Sequence, residues 1–134
     1  MKKPGQIVLL PFPFTDLSAT KLRPALVLRK ASKDFDDWLV CMVSSQLHQT
    51  DDGLSEILNA TDADFEASGL KVPSVLRLSR IAVINGALLV GSTGAICDER
   101  LERVRERPAN WIKFGELRTE SNKKMEARGG VEPP

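Results

Sequence analysis

The apolar residues of this chain come in short runs, each cut off by proline, glycine or polar residues before it is long enough to make a stable helix. Gln6 to Leu10 is rich in Ile, Val and Leu and stops at Pro11-Phe12-Pro13-Phe14, which fits a buried strand. Arg23-Pro24 opens a second run, Ala25-Leu26-Val27-Leu28, where proline is tolerated because the first residue of a strand need not donate to the ladder. A third, Trp38 to Val43, ends at Ser44-Ser45-Gln46. Further strands are expected at Leu54 to Leu58, at Ser74 to Leu78 and from Ile81 to Val90, with Asn85-Gly86 as a type I′ hairpin signal inside the last.

Two helices are expected among these strands. Thr61 or Asp62 offers a cap for a short one ending at Gly69, because a side-chain oxygen satisfies the first free amides and glycine accepts the left-handed exit. Asp98 offers a cap for a second, with Leu101 and Val104 on one face and acidic residues at its positive end. Pro108 takes the next apolar slot, where it removes an amide and crowds the previous turn, so this helix is expected to end or kink near Glu106. At 134 residues the chain suits one core. The reading is mainly β: a small barrel with short helices including a C-terminal one, covering residues 1–114, followed by a polar tail, 115–134, expected to be disordered.

Charge is unevenly spread although the net charge is only +1. Residues 1–33 carry seven Lys or Arg against one acid, a distribution suited to polyanions, whereas 34–70 carry nine Asp or Glu and no Lys or Arg. That acidic stretch is a candidate for steering a polyanion to the opposite face. Met1-Lys2-Lys3 and the apolar run after it faintly imitate a signal peptide, but Pro11 and Pro13 interrupt the run, and no stretch is long and apolar enough to span a bilayer. Cys41 and Cys97 lack metal-ligand spacing and have only His48 beside them, so two reduced, buried cytoplasmic thiols and no metal site are expected.

Read in order, Gly5-Gln6-Ile7-Val8, Pro11-Phe12-Pro13-Phe14-Thr15-Asp16, Lys21-Leu22-Arg23-Pro24-Ala25-Leu26-Val27-Leu28, Val43-Ser44-Ser45-Gln46, and Gly69-Leu70 with Pro73-Ser74-Val75-Leu76-Arg77 resemble the MazF/PemK (Kid) family of toxins from toxin–antitoxin modules. The resemblance runs over roughly residues 4 to 106. It implies an SH3-like barrel of the CcdB/MazF type, a homodimer, and cleavage of single-stranded RNA at short sequences with no metal or other cofactor, leaving a 2′,3′-cyclic phosphate. It also implies a cognate antitoxin whose flexible C-terminal segment blocks the RNA groove, and a cytoplasmic protein without a membrane partner.

By this resemblance Arg23 matches the family's catalytic arginine, whose guanidinium can hold two phosphoryl oxygens at once. Ser44 stands where a catalytic threonine is usual; it keeps the hydroxyl, and a hydroxyl is too poor a base to do more than position or donate. Arg77 matches a second arginine that acts as acid or phosphate stabiliser in some members. Their general base, an aspartate two residues further on, is replaced by Ser79, which leaves Asp16 and His48 as substitutes. Phe14, Thr15, Asp16, Lys21, Ser45, Gln46 and His48 are the expected RNA-binding residues, with Phe12, Phe14 and Trp38 as possible stacking surfaces. Two other functions stay open on sequence: a non-enzymatic gyrase poison of the CcdB type, and an inactive relative that binds RNA or antitoxin.

Overall fold

The apolar runs become the strands of one antiparallel sheet in a computed structural model that describes residues 2–11, 21–48 and 53–115. In chain order the strands are β1 (Gln6–Pro11), β2 (Leu22–Lys30), β3 (Asp37–Ser44), β4 (Glu56–Leu58), β5 (Ser74–Asn85) and β6 (Gly91–Ala95), with helices α1 (Phe65–Ser68) before β5 and α2 (Asp98–Phe114) at the end. The sheet order β4-β5-β3-β2-β1-β6 curls into a half-barrel. Alternation along the strands sends side chains to two faces. One face joins Ile7, Leu26, Leu28, Cys41 and Leu78 to Leu101 and Val104 of α2; the other gathers Val8, Leu10, Ala25, Val27, Val40, Trp38 and Ile84. Each fully buried aliphatic side chain stabilises the fold by about 1.5–3 kcal/mol, so two-sided burial compensates for strands this short.

The strongest departure from the sequence expectation lies after Leu78. Ser74 to Asn85 is one strand, and Asn85-Gly86 makes no type I′ hairpin, which would need positive φ at both residues. Asn85 has φ −65°, and its side chain accepts from the Ala87 amide at 2.8 Å, capping a 3-10 turn over Gly86–Leu88. Gly86 is needed for space: its amide donates to the Asp36 carbonyl at 2.6 Å, and a Cβ would lie 2.1 Å from the Asp36 carboxylate. The chain then forms β6, which pairs with β1. β6 is Gly-Ser-Thr-Gly-Ala, without an apolar pattern to announce it. Its glycine is what α1 demands, since a Cβ on Gly94 would sit 2.0 Å from the Ala67 carbonyl oxygen.

Both helix starts shift from their expected caps. α1 begins after Asp64, because the Asp62 carboxylate turns back to accept from the Asn59 amide at 2.8 Å; it closes at Gly69, φ 75°, as expected. α2 starts after Cys97, with Asp98 and Glu99 in its first turn. Pro108 does not end α2, which runs on to Phe114. Proline in a helix interior costs about 3 kcal/mol. Here the ring is buried, four residues from both Val104 and Ile112, and the turns around it are tied down: Arg105 Nη1 donates to the Leu28 carbonyl at 3.2 Å and Arg107 Nη1 to the Ser55 carbonyl at 3.3 Å.

A buried ion cluster fixes the start of α2. Arg100, 9% exposed, donates through Nε to Asp64 Oδ2 at 2.9 Å, through Nη2 to Asp62 Oδ2 at 3.0 Å, and through Nη1 to Glu56. Asp64 also accepts from the Cys97 amide at 3.0 Å, the bond that aligns the helix entry. Burial pushes the Asp64 carboxyl up, but the Arg100 and Cys97 hydrogen bonds and the Arg100 charge outweigh it and hold the group at about 2, below its ordinary 3.8. The unfolded chain therefore takes up a proton near pH 4 that the folded chain refuses until about pH 2. About 2 kcal/mol of stability, present above pH 4, is expected to disappear as pH falls through that window. Urea unfolding at a series of acidic pH values measures it; an Asp64→Asn chain losing stability just as steeply between pH 4 and 2 would remove this carboxylate from the account.

Candidate functional site

The strand register gathers three separated segments at one end of the sheet. Arg23 pairs with Leu10 across β1–β2, Ala25 with Met42 across β2–β3, and Met42 with Arg77 across β3–β5. Continuing the antiparallel register two places beyond the Ala25–Met42 pair sets Arg23 abreast of Ser44. The result is a depression of about 400 Å3 lined by Arg23, Pro24, Met42, Val43, Ser44, Gln46 and Arg77. All three residues expected to be catalytic from sequence line it. So does Gln46; Met42 and the ring of Pro24 supply apolar wall that sequence reading had not singled out.

Ser44 Oγ accepts the Gln46 amide at 3.0 Å. That bond uses an oxygen lone pair and leaves the hydroxyl proton to donate elsewhere. The turn-capping and outward-donating roles of this serine are thus compatible. Arg23 is exposed at the mouth of the depression, while Arg77 is half-buried. The Nε of Arg77 is buried and finds no hydrogen-bond acceptor among the described residues. A buried donor left unsatisfied costs about 1–3 kcal/mol, and an anionic oxygen entering the depression would relieve it.

Ser79 is not part of this lining. Between Cys41, opposite Ile81, and Met42, opposite Arg77, the β3–β5 register shifts, and Ser79 sits in the irregular stretch of β5 that the shift produces. No carboxylate lines the depression among the described residues. Glu56 is on β4, its carboxylate held by Arg100, Arg103 and Arg107; burial raises that carboxyl, and these arginines more than reverse the effect. Asp62 and Asp64 are likewise committed to Arg100.

Lys21 is exposed just before β2, and Ser45 and His48 are exposed in the turn after β3 without lining the depression. Phe12, Phe14, Thr15 and Asp16 lie outside the described residues. Trp38 is no stacking surface: it is buried at the far end of the sheet, its Nε1 donating to Asp36 at 2.7 Å, with the Lys30 ammonium 5.8 Å from its ring centre. The thiols divide as well. Cys41 is buried, which pushes it up to about 12, whereas Cys97 is exposed at the start of α2 because it occupies the cap position and not the apolar stripe. Among the described residues no His, Cys, Asp and Glu side chains group as a set that could hold a metal ion, and no helix is long and apolar enough to cross a membrane.

A curled antiparallel half-barrel closed by a C-terminal helix, with two arginines and a serine at one end, defines the class to which this molecule belongs among small β barrels. The family model described as PemK-like, MazF-like toxin of type II toxin–antitoxin system matches residues 3–112, and the chain belongs to that family. Solved structures with the same fold include the Mycobacterium tuberculosis toxin MazF-mt6, 16% identical over 81% of this chain and 96% of that one, with a TM-score of 0.58. A MazE-MazF structure from Deinococcus radiodurans is 19% identical, covering 83% of this chain and 94% of that one at a TM-score of 0.60. An endoribonuclease in complex with its cognate antitoxin from Mycobacterial species is 9% identical over 85% and 97%, with a TM-score of 0.61. Among curated proteins, none matches the sequence significantly.

Proposed function

We propose that this toxin is a sequence-specific endoribonuclease that cleaves single-stranded RNA without a metal ion and is neutralised by a cognate antitoxin. The observation that carries the reading is the convergence of Arg23, Ser44 and Arg77 on one depression, an anion site with a hydroxyl donor beside two permanent charges. In the proposed reaction the 2′-hydroxyl oxygen bonds to the adjacent phosphorus, its proton passes to a base, the bond from phosphorus to the 5′-oxygen breaks, and that oxygen takes up a proton. The products are a 2′,3′-cyclic phosphate and a free 5′-hydroxyl, with no water consumed. Arg23 holds phosphoryl oxygens as negative charge grows, Arg77 offers its Nε, and Ser44 donates. Asp16 and His48 are the candidates for the base. Lys21, Ser45, Gln46 and the Phe14-Thr15-Asp16 segment would hold the RNA on either side, in a homodimer whose antitoxin competes for the same surface. Neighbours of this fold solved with antitoxins support that partner.

The test is incubation of the purified chain with mixed-sequence RNA in excess EDTA, followed by mapping of fragment ends. Discrete cuts with cyclic-phosphate ends are expected. Intact RNA in the presence of folded protein would sink the nuclease reading, and growth arrest that persists under those circumstances would favour a gyrase poison. Replacing Asp16 by Asn and His48 by Ala identifies the base: the variant whose pH–rate profile loses its acidic limb has lost the proton acceptor.

A further inference from the structure

Met42 stands opposite Arg77 in the β3–β5 register and opposite Ala25 in the β2–β3 register. Cross-strand partners project to the same sheet face with Cβ atoms about 5 Å apart, so the thioether and the Arg77 side chain start out as neighbours. Both line the depression that holds Arg23 and Ser44. Met42 is half-buried: it packs against the cluster that includes Ala25 and Val40, and the depression opens its other side to small solutes. The buried Nε of Arg77 has no acceptor among the described residues, and a thioether sulfur accepts too weakly to supply one. A sulfoxide oxygen on Met42 would be a polar acceptor carried by a side chain with three rotatable bonds, next to a donor in need of one.

The geometry points to Met42 as an oxidative modification site whose sulfoxide oxygen takes the Arg77 Nε and closes the anion site from within. The oxidant is hydrogen peroxide. A sulfur lone pair attacks one peroxide oxygen, the S–O bond forms as the O–O bond breaks, and sulfur gives up two electrons. The proton on the transferred oxygen leaves with the departing hydroxide as water. A sulfoxide reductase fed by a dithiol reverses the change, ending in thioether, disulfide and water. The pairing is favoured because a buried donor left unsatisfied is costly, and once made it withholds that donor from a phosphoryl oxygen. The other sulfur atoms of the described residues are placed differently: Cys41 is buried on the opposite face of the sheet, and Cys97 is exposed at the start of α2 outside the depression. Loss of RNA cleavage as the consequence rests on the proposed function, whereas the modification and its pairing with Arg77 do not.

Graded hydrogen peroxide on the full chain, isotope-labelled at arginine, tests the inference. Peptide mapping by mass spectrometry is expected to find one added oxygen on Met42. In the proton–nitrogen spectrum the Arg77 Nε–H signal, assigned by its loss in Arg77→Lys, is expected to move downfield as it gains an acceptor. RNA cleavage is expected to fall at least about 10-fold, the scale of a lost transition-state donor, and to return with sulfoxide reductase and dithiothreitol. Met42→Leu conserves volume and cannot be oxidised, so peroxide should cost it far less, each variant being compared with its own untreated sample. It keeps Cys41, Cys97, Met1 and Met125, so a loss equal to that of wild type would assign the effect to them and overturn the proposal. Met42 left as a thioether while free methionine in the same solution is consumed would overturn it, as would an unmoved Arg77 signal or full cleavage by the oxidised chain. A wild type that cuts no RNA before treatment, yet gains oxygen at Met42 with the Arg77 signal displaced, would sink the nuclease reading and support the modification site.

Discussion

Arg23→Ala is expected to reduce the rate of RNA cleavage about 100- to 1,000-fold while leaving the fold in place. The two halves of that expectation have separate causes. Arg23 is exposed at the entrance of β2 and its chain position is held by backbone pairing with Leu10, so losing the guanidinium removes little packing. In the reaction, though, the same guanidinium meets a phosphorane carrying one more negative charge than the ground state. Interactions that strengthen only there act on turnover, so kcat should fall with KM changed less. Arg23→Lys should recover only part of the rate, because an ammonium is a point charge without the planar two-pronged donor. Single-turnover cleavage of a defined RNA, with unfolding curves of each variant, makes the measurement. Equal rates for wild type and Arg23→Ala would exclude Arg23 from the chemistry and, with toxicity retained, would point to a target other than RNA.

The largest structural effect is expected from Arg100→Leu, a loss of about 3–5 kcal/mol of folding stability. The cost comes from the three carboxylates left behind more than from the bonds removed. Asp64 and Glu56 are 6% and 9% exposed, and without Arg100 the Asp64 carboxylate loses its cation and keeps hydrogen bonds from Cys97. Glu56 would fare better, since Arg103 and Arg107 still reach it at 2.8 and 3.2 Å. Asp64→Asn placed on the Arg100→Leu background is therefore expected to restore part of the stability, although it weakens the otherwise native chain. Equilibrium denaturation of the two single variants and the double reads the coupling. A loss below about 1 kcal/mol for Arg100→Leu would show that the cluster behaves as a surface ion pair.

These two arginines also separate what could be read from the chain before its coordinates. Arg23 was legible because it sits inside an ordered string of motifs, and Ser44 and Arg77 because each stands at a fixed place in a neighbouring block. Arg100 was not, because its partners Glu56, Asp62 and Asp64 lie 36 to 44 residues away and nothing local distinguishes it from the other arginines of α2. The same difference applies to the fold. β1, β2 and β3 announce themselves as runs of Ile, Val and Leu. β6 does not, since its glycines answer to the backbone of α1 crossing above it, and Asn85-Gly86 misleads, since the glycine there makes room for Asp36 in place of a left-handed turn.

The sequence by itself determined the β character, the family and the identity of the arginines and serine at the candidate site, because strand periodicity and contiguous motifs are local properties of the chain. Only the tertiary structure decided that Pro108 lies within a helix and that the place of the missing aspartate falls in an irregular stretch of β5 outside the depression. Each of these depends on what a distant segment brings alongside, through burial, register or charge pairing, and such neighbours are set by the closing of the sheet and not by the order of residues along it.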